Sequence, residues 1–324
     1  VANGRLTGGI DGAPLWGGSK ADAVRDFAKT HKIVLSHSYA YTNGNEDIAF
    51  LKTVRQAAVV NPKRALSEVA HSESWRELHF SRRRKASVAT RARSLGAYCA
   101  LVLTSLGGAV YGVTTGKKRM AAEWISATSS DAMLAITGVH IDVQGENHLW
   151  EHRPSVFLFN HQSYIDGYVL LSLLRHGVTG ITKKEVAKTP ILGSLLRALD
   201  FAFIDRNDTH SAIEAMEPVI DKLREGLSIV IAPEGTRSLT PKLGRFKKGA
   251  FHIAMQAGVP IVPVVIRNDY EMMMRNSLLF RPGTVQVCVL PPFDVTKWNV
   301  KDINCHIAEV QEIFQRTLDD WPEV

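Results

Sequence analysis

Cysteine is scarce. The chain of 324 residues has three, Cys99, Cys288 and Cys305, at no paired spacing. That excludes a disulfide framework and a cysteine-based zinc site, and it suits a reducing compartment. The N-terminus lacks the charged-then-apolar pattern of an export signal. Internal repeats and low-complexity tracts are missing, so a solenoid is excluded. Interleaved aromatics are missing from the basic stretches, which argues against a surface that stacks nucleic-acid bases. Charge is also missing locally: Leu95 to Val113 contains no charged residue.

What is present is apolar and basic. Hydrophobic residues make up 45% of the chain, enough for a sizeable core. The formal net charge is +7 and the pI about 9.3, a balance that favours anionic partners such as anionic lipid or phosphate-bearing small molecules. The length suggests more than one domain, and composition divides the chain into three zones. Residues 1–66 are soluble in character, with Ile33–Ser38 reading as a short buried strand and Asn43-Gly44 as the turn after it. Residues 67–136 open on the basic run Arg82, Arg83, Arg84, Lys85, Arg91 and Arg93, pass through the uncharged stretch, and continue with Lys117, Lys118 and Arg119. The uncharged stretch is about one membrane span long by the usual ~20-residue rule. Gly96, Gly107, Gly108 and Gly112 interrupt it. A buried core helix is the competing reading. Basic residues at both ends favour a membrane-associated segment that enters and leaves on one side.

Residues 137–324 alternate between strand and helix patterns. Val156–Phe159, Phe201–Ile204, Ser228–Ala232, Ile261–Ile266 and Val285–Leu290 read as buried strands. Ser211–Glu225 and Phe246–Ala257 read as helices, stopped by Gly226 and Gly258. The alternation predicts an α/β domain, with a mixed sheet flanked by helices.

Chemistry gathers after two of the strands. Asn160-His161-Gln162-Ser163-Tyr164-Ile165-Asp166 follows the first. In one continuous helix His161 and Asp166 would be rotated about 140° beyond a full turn and could not face each other. If a helix starts near Ser163, His161 sits in the preceding loop and folds back on Asp166, whose carboxylate orients the ring as a general base. The alternative is a capping-box-like start, Ser163-x-x-Asp166, in which Asp166 supports only the helix N-terminus. The second cluster, Pro233-Glu234-Gly235-Thr236-Arg237-Ser238, offers a backbone open to close approach at Gly235 and a guanidinium fork suited to phosphate at Arg237. An ordinary polar turn would read the same. In Ile204-Asp205-Arg206, an arginine leaves a strand, as a phosphate ligand or a surface ion pair would.

In this order the clusters resemble the glycerolipid acyltransferase family that includes lysophosphatidate acyltransferases. His161 and Asp166 match its His-x4-Asp block, Phe203 to Arg206 its second block, and Pro233 to Ser238 its third. Val259-Pro260-Ile261-Val262-Pro263-Val264 matches its fourth. Lys183-Lys184-Glu185 and Phe246 to Ala250 are also similar, and the likeness covers about residues 137–295. The resemblance implies an acyltransferase that uses acyl-CoA or acyl carrier protein as co-substrate, with no metal or other cofactor. His161 and Asp166 would be catalytic, Arg206, Arg237 and Lys184 would bind the acceptor phosphate, and Glu234, Gly235, Thr236 and Ser238 would shape the substrate loop. Backbone amides at the 161–166 helix start are candidate oxyanion donors. The implied partners are lysophosphatidate and membrane phospholipids, at the cytoplasmic face of a membrane, and not nucleic acid. Glycerol-3-phosphate or another lysophospholipid is an alternative acceptor. The reading from another class is a non-catalytic module that binds anionic lipid.

Residues 14–66 are similar to the C-terminal half of a haloacid-dehalogenase-like phosphatase of the phosphoserine-phosphatase type. Lys20 would match its phosphate-binding lysine and Asp47 the second acid of its magnesium motif. Asn43 stands where the first acid is expected, and the aspartate nucleophile motif is absent, so the resemblance implies a remnant without phosphatase chemistry.

Overall fold

The computed structural model describes residues 15–80, 86–205, 216–237, 242–274 and 277–322. It divides into two compact units, Val1–Lys85 and Ala86–Val324.

The first unit is a small α/β piece. Strands β1 (Tyr39–Thr42), β2 (Gln56–Val60) and β3 (Arg76–Leu78) form a parallel sheet in that order. Helices α1 (Gly18–Thr30), α2 (Ile48–Leu51) and α3 (Arg64–Ser72) accompany it, and Leu51, Val59 and Leu66 are fully buried. The unit therefore carries ordered elements beyond residue 66. Ile33–Ser38 is not the strand its composition predicts. Lys32 takes a positive φ of 54°, and the Ile33 N–H returns to the Ala28 carbonyl at 2.8 Å, closing α1 in a Schellman-type turn. The His37 and Ser38 N–H groups are used by the 3-10 turn that follows, so they cannot join a ladder, and Ile33 and Val34 stay exposed.

The second unit is built on a seven-stranded mixed sheet in the order β4-β10-β9-β5-β8-β6-β7. Its strands are β4 (Val139–Gln144), β5 (Val156–Phe159), β6 (Val178–Lys183), β7 (Ala202–Ile204), β8 (Ser228–Ile231), β9 (Ile261–Arg267) and β10 (Gly283–Val289). β5 to β9 all run parallel, and β10 with β4 runs against them. The central strands read as unbroken apolar runs because both of their faces are covered. Val156 and Leu158 of β5, with Ile261 and Val265 of β9, pack toward α8 (Met216–Arg224), α9 (Gly249–Ala257) and α11 (Ile303–Asp319). Phe157, Val262, Val264 and Ile266 point the other way, toward α5 (Lys118–Thr137) and α6 (Ile165–Leu174). Two short helices, α7 (Leu192–Ala198) and α10 (Asp269–Met272), complete the layer order. Helix α9 begins three residues after Phe246. The Phe246 N–H donates to Gln311 Oε1 and the Lys247 N–H to the Pro233 carbonyl, which holds both residues in the preceding loop.

The uncharged stretch lies within one long helix, α4 (Val88–Thr115), capped by Ser87 and turned by Gly116 into α5. The two helices form an antiparallel hairpin. A Cβ on Gly108 would fall 2.2 Å from Ile125 Cγ1, so only glycine lets the backbones approach this closely. Helix α5 is bound to the domain by polar contacts: Glu123 accepts from the Gly177 N–H at 3.0 Å, and Asp131 pairs with Arg175 at 3.1 Å. Helix α4 differs. Only 17% of its most apolar stretch is buried, and Leu95, Leu103, Leu106, Val110 and Val113 are exposed. This is not the burial of a core helix.

Candidate active site

Three parallel neighbours, β8, β5 and β9, end at the same edge of the sheet, and each hands the chain to a segment that carries polar groups. Ligands of open α/β sheets bind outside such carboxyl ends. Asn160 follows β5 and pins it to β9: its Nδ2 donates to the Ile266 carbonyl at 2.7 Å, and its Oδ1 accepts from the Ile266 N–H at 2.8 Å.

His161 comes next, in the loop, and helix α6 begins at Ile165. The ring folds back as the five-residue spacing requires: His161 Nδ1 meets Asp166 Oδ2 at 2.8 Å. The same oxygen accepts from the Gln162 N–H at 3.0 Å and the Ser163 N–H at 3.1 Å. Asp166 therefore both orients the imidazole and supports the helix start; the two readings of the motif describe one arrangement. With Nδ1 bound to a carboxylate, Nε2 is the basic nitrogen of the neutral ring. The Asp166 side chain is fully buried and that of His161 is 22% exposed, so a solute can reach the imidazole but not its partner. Burial raises the Asp166 carboxyl above its usual range, opposed by its hydrogen bonds.

The loop after β8 reaches the same place. Glu234 Oε1 accepts from the His161 N–H at 3.0 Å and Oε2 from the Gly244 N–H at 2.7 Å, so one buried carboxylate joins three segments. Burial raises its carboxyl, against these two bonds. Gly235 turns at φ 70°, and Thr236 beyond it is exposed. The Arg237 guanidinium stacks on Tyr164, 3.7 Å from the ring centroid. Its Nη1 is buried without a hydrogen-bond partner among the described residues. Of the backbone amides at the 161–166 helix start, four are engaged within the loop: those of His161, Gln162 and Ser163 donate to carboxylates, and that of Ile165 donates to Ser163 Oγ.

Lys184 lies in a 3-10 turn after β6, and its ammonium pairs with Asp205 at the end of β7. Arg206 and Ser238 lie outside the described residues. In the first unit, Lys20 Nζ meets both oxygens of Asp47 at 2.8 Å, and Thr42 Oγ1 donates to Asp47 at 2.6 Å. Burial pushes the Asp47 carboxyl up, but these bonds outweigh it and the net shift is downward. Sequence reasoning passed over Asn160, Tyr164 and Asp269. The last is a buried carboxyl at the start of α10 that lies against Asp166. A polar residue directly after an apolar run was the only signal for Asn160. One group among the described residues could share a metal ion, His148, Glu151 and His152, and it precedes β5 at the opposite end of that strand. An open pocket of about 580 Å³ adjoins the site at Gln162, with Lys242, Arg267 and Asn268 in its wall.

Residues 140–267 match the Acyltransferase family model. The chain is 33% identical over 182 residues to a 1-acyl-sn-glycerol-3-phosphate acyltransferase of Limnanthes alba, covering 56% of this chain and 64% of that protein. It is 30% identical over 231 residues to the enzyme of that name from Saccharomyces cerevisiae, covering 68% and 76%. The chain thus spans just under two thirds of the plant relative and about three quarters of the yeast one. The crystal structure of the 1-acyl-sn-glycerophosphate (LPA) acyltransferase PlsC from Thermotoga maritima superposes with a TM-score of 0.61 at 22% identity, covering 73% of this chain and 99% of that one. It shares the fold.

Proposed function

The chain belongs to the acyltransferase family, and from that premise we propose that it transfers a fatty acyl group from an acyl thioester to the free hydroxyl of 1-acylglycerol-3-phosphate. The product would be phosphatidic acid, and the donor acyl-CoA or acyl carrier protein. The observation that carries the reading is the His161–Asp166 pair, with the imidazole accessible and its carboxylate sealed from water. His161 Nε2 takes the proton of the acceptor hydroxyl as that oxygen attacks the thioester carbonyl. The tetrahedral intermediate collapses, the carbon–sulfur bond breaks, and the thiolate leaves and takes the proton back from His161, which returns the ring to its neutral form. Asp166 stabilises the imidazolium that forms between these events.

Arg237 holds the acceptor phosphate. Its Nη1, buried and without a hydrogen-bond partner among the described residues, and its stacked plane support this role. Arg206 completes the clamp in this reading, and Lys184 stands at its edge. Glu234, Gly235, Thr236 and Ser238 shape the loop that carries Arg237. The exposed apolar face of α4 supports attachment to the cytoplasmic face of a membrane, where both acyl chains of the acceptor and product remain in lipid. We read the first unit as the phosphatase-like remnant. The Lys20–Asp47 pair supports that reading, because it sets together the two residues that the resemblance matches.

The test is acyl transfer to lysophosphatidate by the purified protein, with a panel of acyl-CoA chain lengths and acyl carrier protein as donors. His161→Ala is expected to lower turnover by about 10²–10⁴-fold, the range for a positioned general base. Near-normal transfer by that variant would remove the mechanism, and failure to acylate any lysophospholipid would leave only the lipid-binding module.

A further inference from the structure

Asp269 follows β9 at the carboxyl edge of the sheet, 1% exposed, and belongs to none of the four sequence blocks. Its carboxyl lies beside that of Asp166, which is fully buried. Counting donors at this pair leaves a deficit. Asp166 Oδ2 receives three, from the His161 ring and two backbone amides. Asp166 Oδ1 and both oxygens of Asp269 are buried and receive none among the described residues. The N–H groups of Asp269 and Tyr270 approach the Asp269 carboxyl without closing a hydrogen bond.

Two ionised carboxylates side by side, away from water, would repel each other and leave three acceptor atoms unmatched. One proton between them removes both faults. It belongs on Asp269, because the three donors at Oδ2 stabilise Asp166 as the anion and, among the described residues, no donor closes a hydrogen bond to Asp269. Ser163 Oγ donates to the Met273 carbonyl at 2.5 Å, which links the end of α10 to the start of α6.

We propose that Asp269 is a positioning residue for the transfer reaction: a neutral carboxylic acid whose O–H donates to Asp166 Oδ1 and holds that carboxylate square to His161. The proposal rests on His161 being the base. Deprived of this donor, Asp166 would be fixed at one oxygen only, would take up a proton more readily, and would then no longer serve the imidazole. The titratable groups acting on Asp269 are Asp166 on α6 and Glu234 after β8, with His161 reached through Asp166 and Tyr270 next along α10. From β10, Gly283 meets α10 at Met272.

The test compares kcat and KM for acyl transfer between about pH 5 and about pH 9 in wild type, Asp269→Asn, Asp269→Ala and His161→Ala. Asparagine keeps a neutral donor of the same shape, so turnover should stay within about threefold and the acid limb of kcat/KM should not move. Alanine should lower kcat by about 10–100-fold with little change in KM, the range for losing an orienting partner behind a functional histidine. Its acid limb should rise by about one pH unit, because a hydrogen bond to the charged form no longer favours ionised Asp166. Infrared spectroscopy at neutral pH gives a readout independent of whether alanine folds: a protonated-carboxyl C=O band should be present in wild type and lost in Asp269→Asn. Absence of that band overturns the proposal. So does a folded Asp269→Ala with wild-type kcat and acid limb, or an Asp269→Asn that melts normally but is as impaired as alanine. If His161→Ala abolishes transfer while a folded Asp269→Ala keeps the wild-type kcat and acid limb, the base stands and this inference alone fails. If His161→Ala is active, the function reading fails first.

Discussion

His161 and Glu234 are 73 residues apart in the chain, and the His161 N–H donates to Glu234 Oε1 at 3.0 Å. This bond ties the loop after β5 to the loop after β8, so His161 and the loop that bears Arg237 cannot move apart independently. The other oxygen of the same carboxylate holds Gly244. A block that reads in sequence as part of a substrate loop therefore acts first as a brace.

Glu234→Ala should accordingly harm both stability and turnover. It strands two N–H donors, and each buried donor left unmatched costs about 1–3 kcal/mol. Glu234→Gln keeps one acceptor and sets an amide N–H₂ against the other backbone donor, so an intermediate loss is expected. Urea midpoints and kcat, measured side by side, check this. An alanine variant with wild-type values for both would show that the brace has no energetic weight.

Arg237 and Tyr164 give a second expectation. Removing Arg237 should raise KM for lysophosphatidate, since a hydrogen bond to a charged group is worth about 1.5–3 kcal/mol. Lysine should rescue it only in part, because the planar fork is lost. Tyr164→Leu leaves the guanidinium present but without its platform, and a stacked cation contributes about 0.5–2 kcal/mol. KM should then rise by about 2–30-fold, with kcat little changed. A Tyr164→Leu variant with unchanged KM would mean that the ring only fills space.

The His161–Asp166 geometry was legible because both residues belong to one short segment, and the mismatch between five residues and the helical period forces a loop start. Five of the seven strands of the second unit were legible as apolar runs closed by polar blocks; β4 and β6 were not, because His140, Asp142 and Gln144 in the one and Thr179, Gly180 and Thr182 in the other break the apolar run. Asn160 and Asp269 were not, since their partners lie about a hundred residues away and meet them only through the order of strands in the sheet. Ile33–Ser38 misled for a different reason: two apolar β-branched residues sit there exposed, on a turn whose hydrogen bonds are spent locally. Helix α5 was hidden within a zone whose charge pattern speaks of membrane, although its buried serines and its ion pairs belong to the domain.

Stability should depend on pH through the buried carboxyl pair. Both folded-state values are raised, chiefly by burial, so the native protein holds a proton that the unfolded chain has released above about pH 4. The stabilisation is complete below that pH and fades as pH rises toward the folded value, by up to about 1.4 kcal/mol per pH unit for one proton. Asp269→Asn cannot titrate at this position. Its stability relative to wild type should therefore improve steadily from about pH 4.5 to about pH 7.5, as urea unfolding would measure. A constant difference would mean that Asp269 is ionised in the native state.

Helix α4 is expected to lie in a membrane interface without crossing it. The apolar side chains of Leu95, Leu103, Leu106, Val110 and Val113 are exposed, and each would gain about 1.5–3 kcal/mol on leaving water. Arg91 and Arg93 near one end, and Lys117 and Lys118 after the other, are exposed and would meet anionic head groups, at up to about 1 kcal/mol each. Its partner α5 cannot follow it into lipid, because Glu123, Asp131 and Arg119 are committed to the domain, Arg119 pairing with Asp200 at 2.8 Å. Only the outer face of α4 is then free to enter, and basic residues at both ends match a segment that stays on one side. Replacing Leu103 and Leu106 by Glu should abolish sedimentation with vesicles that contain anionic phospholipid while leaving the melting temperature near that of wild type, since neither side chain is part of the core. With exposed Cys99 and Cys305 first changed to Ser, single cysteines placed near residue 70 and near residue 300 should both react with an impermeant reagent outside sealed inverted vesicles. Reaction at only one of them would show a true crossing, and recovery of the unaltered protein in the soluble fraction with vesicles present would show that the exposed face does not bind lipid.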